Sequence, residues 1–283
     1  MGKRAGMRVT IEAPAHGPRM SSRIEINGEA AAAGTLAHLA LLNFGHFTSL
    51  QVRAGRAQGF DLHLQRLDVA TRRLFGTPLD TARVRAWVRN VLDERPVSVR
   101  ITVFSRAFDR IHSERPVAVD VLVTTGPGRD PLRTPMTVAT CVHERVLPDI
   151  KHVGTFDLHA LRREARLAGN DDVLFTRADA CIAEGSTWNL GLHDGERVVW
   201  PQAPALDGVT RQLLDRGLRA HGIDSVHRPV RIDELGRFHA AFATNTTSPV
   251  RPIAAIGPYR FAGGNDIHER LERCIDVEPW LPV

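Results

Sequence analysis

The segment Gly126–Arg133 (GPGRDPLR) is the strongest constraint on how this chain can fold. Each proline lacks a backbone donor and fixes φ, and each glycine costs conformational entropy. Neither a helix nor the interior of a sheet is expected to run through it. The order of elements also changes there. Before it, Arg23–Asn27 and His46–Arg53 read as strands ending in the turns Gly28-Glu29 and Ala54-Gly55. Asp61–Phe75 puts Leu64, Leu67, Val69 and Leu74 near one helical face, with Asp61 as N-cap and Gly76 as terminator. Asp80–Leu92 repeats the pattern, and Val97–Phe104 and Val117–Thr124 are strands, giving β-β-α-α-β-β.

Beyond the break, a strand at Met136–Val142 and a helix at Phe156–Ala168 lead into short strands at Asp172–Phe175, Ala180–Ala183, Asn189–His193 and Val198–Trp200. A helix at Gly208–His221, strands at Val226–Val230 and Ala240–Thr244, and a helix at Asn265–Asp276 follow. Many short strands with few helices predict an α+β fold in two domains: a small one over residues 23–125, a linker over 126–135 and a larger one over 136–283. Residues 1–22 contain Pro14, Gly17 and Pro18 and no apolar h-region; they read as a flexible extension, not a secretory signal.

Composition narrows the function classes. A hydrophobic fraction of 43% and a charged fraction of 24% are those of a soluble globular protein, and no apolar run has the length of a membrane span. The net charge of +5 is spread over interleaved acids and arginines without basic runs alternating with aromatics, so a mixed solvated surface is expected rather than a nucleic-acid interface. Cys141, Cys181 and Cys274 are too far apart for a disulfide framework or a structural zinc site, which fits a reducing cytoplasm. Among the histidines there is no HExxH and no carboxylate-rich cluster, so no metal site is expected.

Of 37 basic residues only two are lysines, Lys3 and Lys151, and Lys151 alone lies in the body of the chain. Arginine can supply a solvated positive charge as well as lysine can. It cannot lose its proton and attack a carbonyl, which a desolvated lysine does. Lys151 is therefore a candidate for covalent amine chemistry, against the bland reading that base composition removed the other lysines. It stands in Pro148-Asp149-Ile150-Lys151-His152-Val153-Gly154, between a strand and a helix.

Three further segments carry chemistry. Ala183-Glu184-Gly185-Ser186-Thr187-Trp188-Asn189 ends a strand on a carboxylate and re-enters a strand through small hydroxyl residues. Leu206-Asp207-Gly208-Val209-Thr210-Arg211 opens a helix, where free N–H groups and the Thr210 hydroxyl suit a phosphate. Ala243-Thr244-Asn245-Thr246-Thr247-Ser248 ends a strand on a hydroxyl cluster. Each segment alone has an ordinary structural reading as a turn, a cap or a solvated strand end; their order and spacing are what is distinctive.

In that order the chain resembles the class IV aminotransferases, the fold-type IV enzymes that use pyridoxal phosphate, over about Ile24 to the C-terminus. This family includes branched-chain and D-amino-acid aminotransferases and aminodeoxychorismate lyase. The resemblance implies a cofactor at the domain junction, a homodimer, and a Schiff base on Lys151. Glu184 would pair with the pyridine nitrogen. Arg66, in His63-Leu64-Gln65-Arg66-Leu67, would bind the phosphate, helped by Val209, Thr210, Asn245 and Thr246. For the substrate it implies Phe47, the Arg110-Ile111-His112 pair (with one residue deleted) and Thr247.

The chain also departs from the family. Asn43-Phe44-Gly45-His46-Phe47-Thr48 stands where Gly-Asp-Gly-Val-Phe-Glu is common, so the acidic residues are gone and Phe47 offers no hydroxyl. Phe156 replaces a tyrosine that branched-chain enzymes place near the cofactor, and Trp188 is bulky in a loop of small residues. The expected activity is amino transfer between an amino acid and a keto acid. The alternatives are a lyase releasing pyruvate, for which His152 beside the lysine is a pointer, and a non-catalytic family member, against which Lys151 and Glu184 speak.

Overall fold

The computed structural model describes residues 23–261 and 265–283, so the expected N-terminal extension lies outside the described residues. The first half contains β1 (Ile24–Ile26), β2 (Glu29–Ala30), α1 (Ala33–Leu41), β3 (His46–Val52), β4 (Arg56–Ala57), α2 (Phe60–Phe75), α3 (Thr81–Val91), β5 (Val97–Phe104) and β6 (Asp120–Pro127). Five of these strands make an antiparallel sheet in the order β2-β1-β6-β5-β3. Val97, Val99, Ile101 and Val103 of β5 turn one face into a core with Leu64 and Leu67 of α2 and Val84 and Val88 of α3. Arg100 projects from the other face of that strand, as period-two alternation requires.

Local chemistry sets the helix limits. Asp80 caps α3 by accepting from the Arg83 N–H at 2.9 Å, and Gly76 ends α2 in the left-handed region at φ 69. Asp61 is not the N-cap of α2; Gly59 is, at φ 60, and a side chain there would run into Leu213. Val69 is 60% exposed, so α2 buries a narrower face than the pattern predicted. Two further differences concern the break. Gly126 and Pro127 pair with Ser98 and Val97 at the end of β6, so the connection begins later than residue 126. Helix α1 was not anticipated, because its alanine-rich sequence lacks a sided pattern; none of its residues is fully buried.

The second half contains β7 (Met136–Val142), α4 (Phe156–Leu167), β8 (Asp172–Thr176), β9 (Ile182–Gly185), β10 (Asn189–His193), β11 (Val198–Pro201), α5 (Val209–Ala220), β12 (Ser225–Arg228), β13 (Ala240–Thr244), β14 (Arg251–Ile256), β15 (Tyr259–Arg260), α6 (Asn265–Asp276) and β16 (Leu281–Pro282). Its main sheet runs β12-β11-β10-β13-β14-β7-β8-β9, with β15 added to β14. The two ends meet: Ile182 N–H donates to the Val230 carbonyl at 2.8 Å, and Cys181 bridges Arg231. This near-closure leaves the terminal strands little free edge and encloses a core of Met136, Leu174, Ile182, Trp188, Leu192 and Phe238.

Helices α5 and α6 pack on the outside, sharing a core with Trp200 and Phe242. Their crossing requires a glycine, since a Cβ on Gly217 would lie 1.9 Å from the Cys274 carbonyl oxygen. Gly217→Ala is expected to destabilise the protein by about 1–3 kcal/mol, read in a denaturant melt, because backbone is the obstacle and cannot rotate away; an unchanged midpoint would contradict the packing. The chain then returns to the first half: β16 pairs with β4, and Val283 is buried in the first core. The expected 136–283 segment thus does not stay together to its end. The pairing partner β4 is only two residues long, too short to announce itself in the sequence.

Candidate active site

A cavity of about 280 Å³ opens between the two sheets. From the first half it is lined by Phe47, Ser49, His63, Arg66 and Arg100. From the second half come Arg145, Lys151, Glu184, Ser186, Val209, Thr210, Asn245, Thr246 and Thr247, among others. Nine residues singled out from sequence therefore meet here. Arg110 and His112 do not: the chain leaves β5 into a loop held by the Arg106–Asp120 ion pair at 2.7 Å, and Arg110 is exposed. Phe156 also stands away from this cavity, 85% exposed, while Thr155 lines the wall in its place.

Lys151 is positioned from both sides. Its carbonyl accepts from the Phe47 N–H at 2.8 Å, the Val153 N–H donates to the Gly45 carbonyl at 3.0 Å, and His46 bridges His152. The edge of β3 thus holds the lysine backbone in a short antiparallel pairing. Nζ lies 5.0 Å from the centre of the Phe47 ring, over which the Arg100 guanidinium stacks at 3.6 Å. Burial first, then the charges of Arg66 and Arg145, lowers the Lys151 pKa from 10.5 to about 7; Glu184 opposes them.

The amine is therefore half neutral at about pH 7. Its capture of an aldehyde, followed as reductive methylation of Lys151 by mass spectrometry, is expected to rise through about pH 7 and level off above it. A midpoint in the ordinary lysine range would contradict the arrangement. The unfolded chain keeps a proton that the folded chain has released, so this group makes the fold more stable as pH rises from about 7 toward 10.5.

Glu184 stands next to the end of β9, buried, with one oxygen 2.8 Å from Arg145 and the other accepting from the Leu206 N–H at 3.2 Å. Arg145 also donates to the Pro148 and Ile150 carbonyls, at 3.2 and 2.8 Å, and so fixes the turn just before the lysine. The loop after Glu184 is held by Ser186, whose hydroxyl donates to Asp172 at 2.6 Å, and Asp172 in turn pairs with Arg162 of α4 at 3.1 Å. Gly185 is required there: a Cβ would fall 2.0 Å from the Trp188 ring, which fills the core beneath. The bulk of Trp188 is thus absorbed inside the sheet, not in the loop.

The far end of the cavity is a cup for an anion. α5 starts at Gly208 without a side-chain cap, leaving its first N–H groups free, with the buried Thr210 beside them. Arg66 reaches in from α2; burial lowers its pKa to about 10, and its Nε is buried with no partner among the described residues. Asn245 is committed elsewhere: its side-chain oxygen accepts from the Thr247 and Ser248 N–H groups at 3.0 and 2.8 Å, building the turn that presents Thr246. Three arginines (Arg66, Arg100, Arg145) and the partly protonated Lys151 face one carboxylate among the described lining residues, so the cavity favours a negatively charged ligand.

Arg100 and Arg145 were not singled out from sequence. The signal for Arg100 was an arginine in the middle of an apolar strand, on the face away from the core. Arg145 left no local signal beyond lying six residues before the lysine.

The chain belongs to the class IV aminotransferase family, whose model matches residues 45–256. Over 115 residues it is 26% identical to a branched-chain-amino-acid aminotransferase of Pseudomonas aeruginosa, covering 40% of this chain and 38% of that protein. The likeness in sequence thus spans well under half of that relative. Among solved structures, a hypothetical aminotransferase from Mycobacterium tuberculosis in its PLP-bound form superposes with TM-score 0.72 at 21% identity, covering 89% of this chain and 96% of that one. A branched-chain aminotransferase from Thermoproteus uzoniensis with norvaline gives TM-score 0.78 at 18% identity over 90% and 94%. A putative 4-amino-4-deoxychorismate lyase from Legionella pneumophila gives 0.73 at 18% over 84% and 92%. What is shared at these identities is the mixed helix-and-sheet fold of the fold-type IV enzymes.

Proposed function

We propose that this protein is a pyridoxal-phosphate-dependent aminotransferase acting between an amino acid and a keto acid, with Lys151 as the reactive amine. The observation that carries this reading is one cavity holding a buried lysine with a pKa of about 7, an anchored carboxylate and an anion cup with an unpartnered arginine Nε. When bound, the cofactor supplies an aldehyde for the substrate amine and a ring that takes up the electron pair left at the substrate α-carbon. Arg66, Thr210, Thr246 and the N–H groups of Val209 and its neighbours hold the phosphate. Glu184, held in place by Arg145, is the negative partner of a protonated ring nitrogen. Lys151 Nζ takes the proton from the substrate α-carbon and returns it. Arg100, stacked on Phe47 with its Nε on the Thr102 hydroxyl at 3.3 Å and no carboxylate partner among the described residues, holds the substrate carboxylate, a role that Arg110 and His112 cannot fill from their place in the same chain.

A homodimer in the cytoplasm fits this reading. Leu41, Ile111, Val146 and Phe156 are each at least 79% exposed, and the loop carrying Arg110 and His112 is free to reach a second copy. Three free cysteines suit a reducing compartment. No helix among the described residues is long and apolar enough to cross a membrane.

The test is spectroscopic. Protein given pyridoxal phosphate should gain a visible absorption band that borohydride removes, and Lys151→Ala should lack it; the same band in the variant would overturn the assignment. The lyase reading is favoured by His152, whose ring lines the cavity next to the lysine. Pyruvate and p-aminobenzoate formed from aminodeoxychorismate without a keto-acid acceptor would replace the transaminase reading with it.

A further inference from the structure

Behind Arg66 lies a buried group of three side chains. The Thr48 hydroxyl, on β3, is hydrogen-bonded to Arg66 Nη2 and lies 2.6 Å from Nδ1 of His63, one helical turn before Arg66 on α2. Donor counting fixes the protons. A guanidinium can only donate, so Thr48 accepts from Arg66, and His63 Nδ1 is the one acceptor among the described residues for the proton of this fully buried hydroxyl. His63 must then carry its proton on Nε2. Nε2 makes no hydrogen bond among the described residues, although His63 is only 1% exposed and lines the cavity beside Arg66 and Thr210. Its neighbour His46 differs, because its Nε2 is used on Thr71 at 3.0 Å. Burial, and then the charges of Arg66 and Lys151, hold the His63 ring well below its usual pKa.

We propose that His63 is a further anion-binding residue of the cup, an uncharged Nε2–H donor to the phosphate set in its tautomer by Thr48. The same hydroxyl aims Arg66 without neutralising it. A hydroxyl at position 48 orients the guanidinium by accepting from it and leaves its charge for the ligand. This assignment rests on the reading of the cavity as a pyridoxal-phosphate site.

The test compares two ligands that differ only in the phosphate. Affinities of the full chain for pyridoxal phosphate and for pyridoxal are measured by absorbance titration in wild type, His63→Phe, Thr48→Val and Arg66→Met. His63→Phe is expected to weaken pyridoxal phosphate about tenfold and pyridoxal less than about twofold, as befits one hydrogen bond to a charged group. Thr48→Val is expected to follow it in direction. Equal losses for both ligands, or none for either, would overturn the proposal.

Nitrogen-15 spectra of the histidines give a second reading that needs no variant. His63 should be the Nε2–H tautomer, and inorganic phosphate should shift Nε2; an Nδ1–H form, or a ring that ignores phosphate, would sink the idea. If Arg66→Met also fails to separate the two ligands, the cup itself is misassigned. If Arg66→Met separates them and His63→Phe does not, only the role of His63 falls.

Discussion

Lys151→Arg is expected to lose at least about 10⁴-fold in turnover while keeping its melting temperature within a few degrees. The geometry makes this substitution more telling than removal of the side chain. Arginine preserves length and positive charge, so the contact with Phe47 survives in kind. What it cannot do is shed its proton: guanidinium stays charged in the burial that brings the lysine to about 7. Steady-state amino transfer and the borohydride-sensitive band decide the matter together. Activity within about tenfold of wild type would mean that the amine is not the reacting group.

Arg145→Met is expected to cost about 3–5 kcal/mol of stability, because it leaves Glu184 buried without its cation. For a chain of this size that corresponds to a fall in melting temperature of about 10 °C. The loss has a second component, since Arg145 also holds the Pro148 and Ile150 carbonyls. It should be accompanied by a rise in the Lys151 pKa, because the Arg145 charge is one of the causes of its depression. Thermal melts with and without Glu184→Gln separate the contributions: if the pair is what matters, the double variant should be more stable than Arg145→Met alone. A single variant that melts with wild type would remove the pair from the account.

The parts of this fold that could be read from sequence are those with long periodic patterns. β5, α2, α3, α4, α5 and α6 lie within a residue or two of the expected ranges, because burial on one face fixes both their type and their extent. β2, β4, β15 and β16 are two residues each, shorter than any period, and exist only because another strand lies alongside. The site shows the same division. Lys151, Glu184, Arg66 and the α5 start stood out by residue type and order. Thr48 and His63 did not, since their relation is a contact between a strand and a helix 15 residues apart. Arg110 and His112 lie outside the cavity of their own chain, because an Arg-x-His spacing in sequence says nothing of where the loop points.

The pairing of Gly45 and Phe47 with the 151–153 backbone has a mechanical consequence. The two sheets are joined beside the reactive amine by hydrogen bonds as well as through the connection after β6. Rotating one sheet away from the other would break these bonds and drag the Lys151 α-carbon with whichever side it followed. The amine thus behaves as a hinge pin. With the halves held together, the cavity is bordered on its open side by side chains such as the exposed His159. The only large-scale freedom left to Lys151 is rotation about its own four methylenes, and that confines the proton it carries to a short arc.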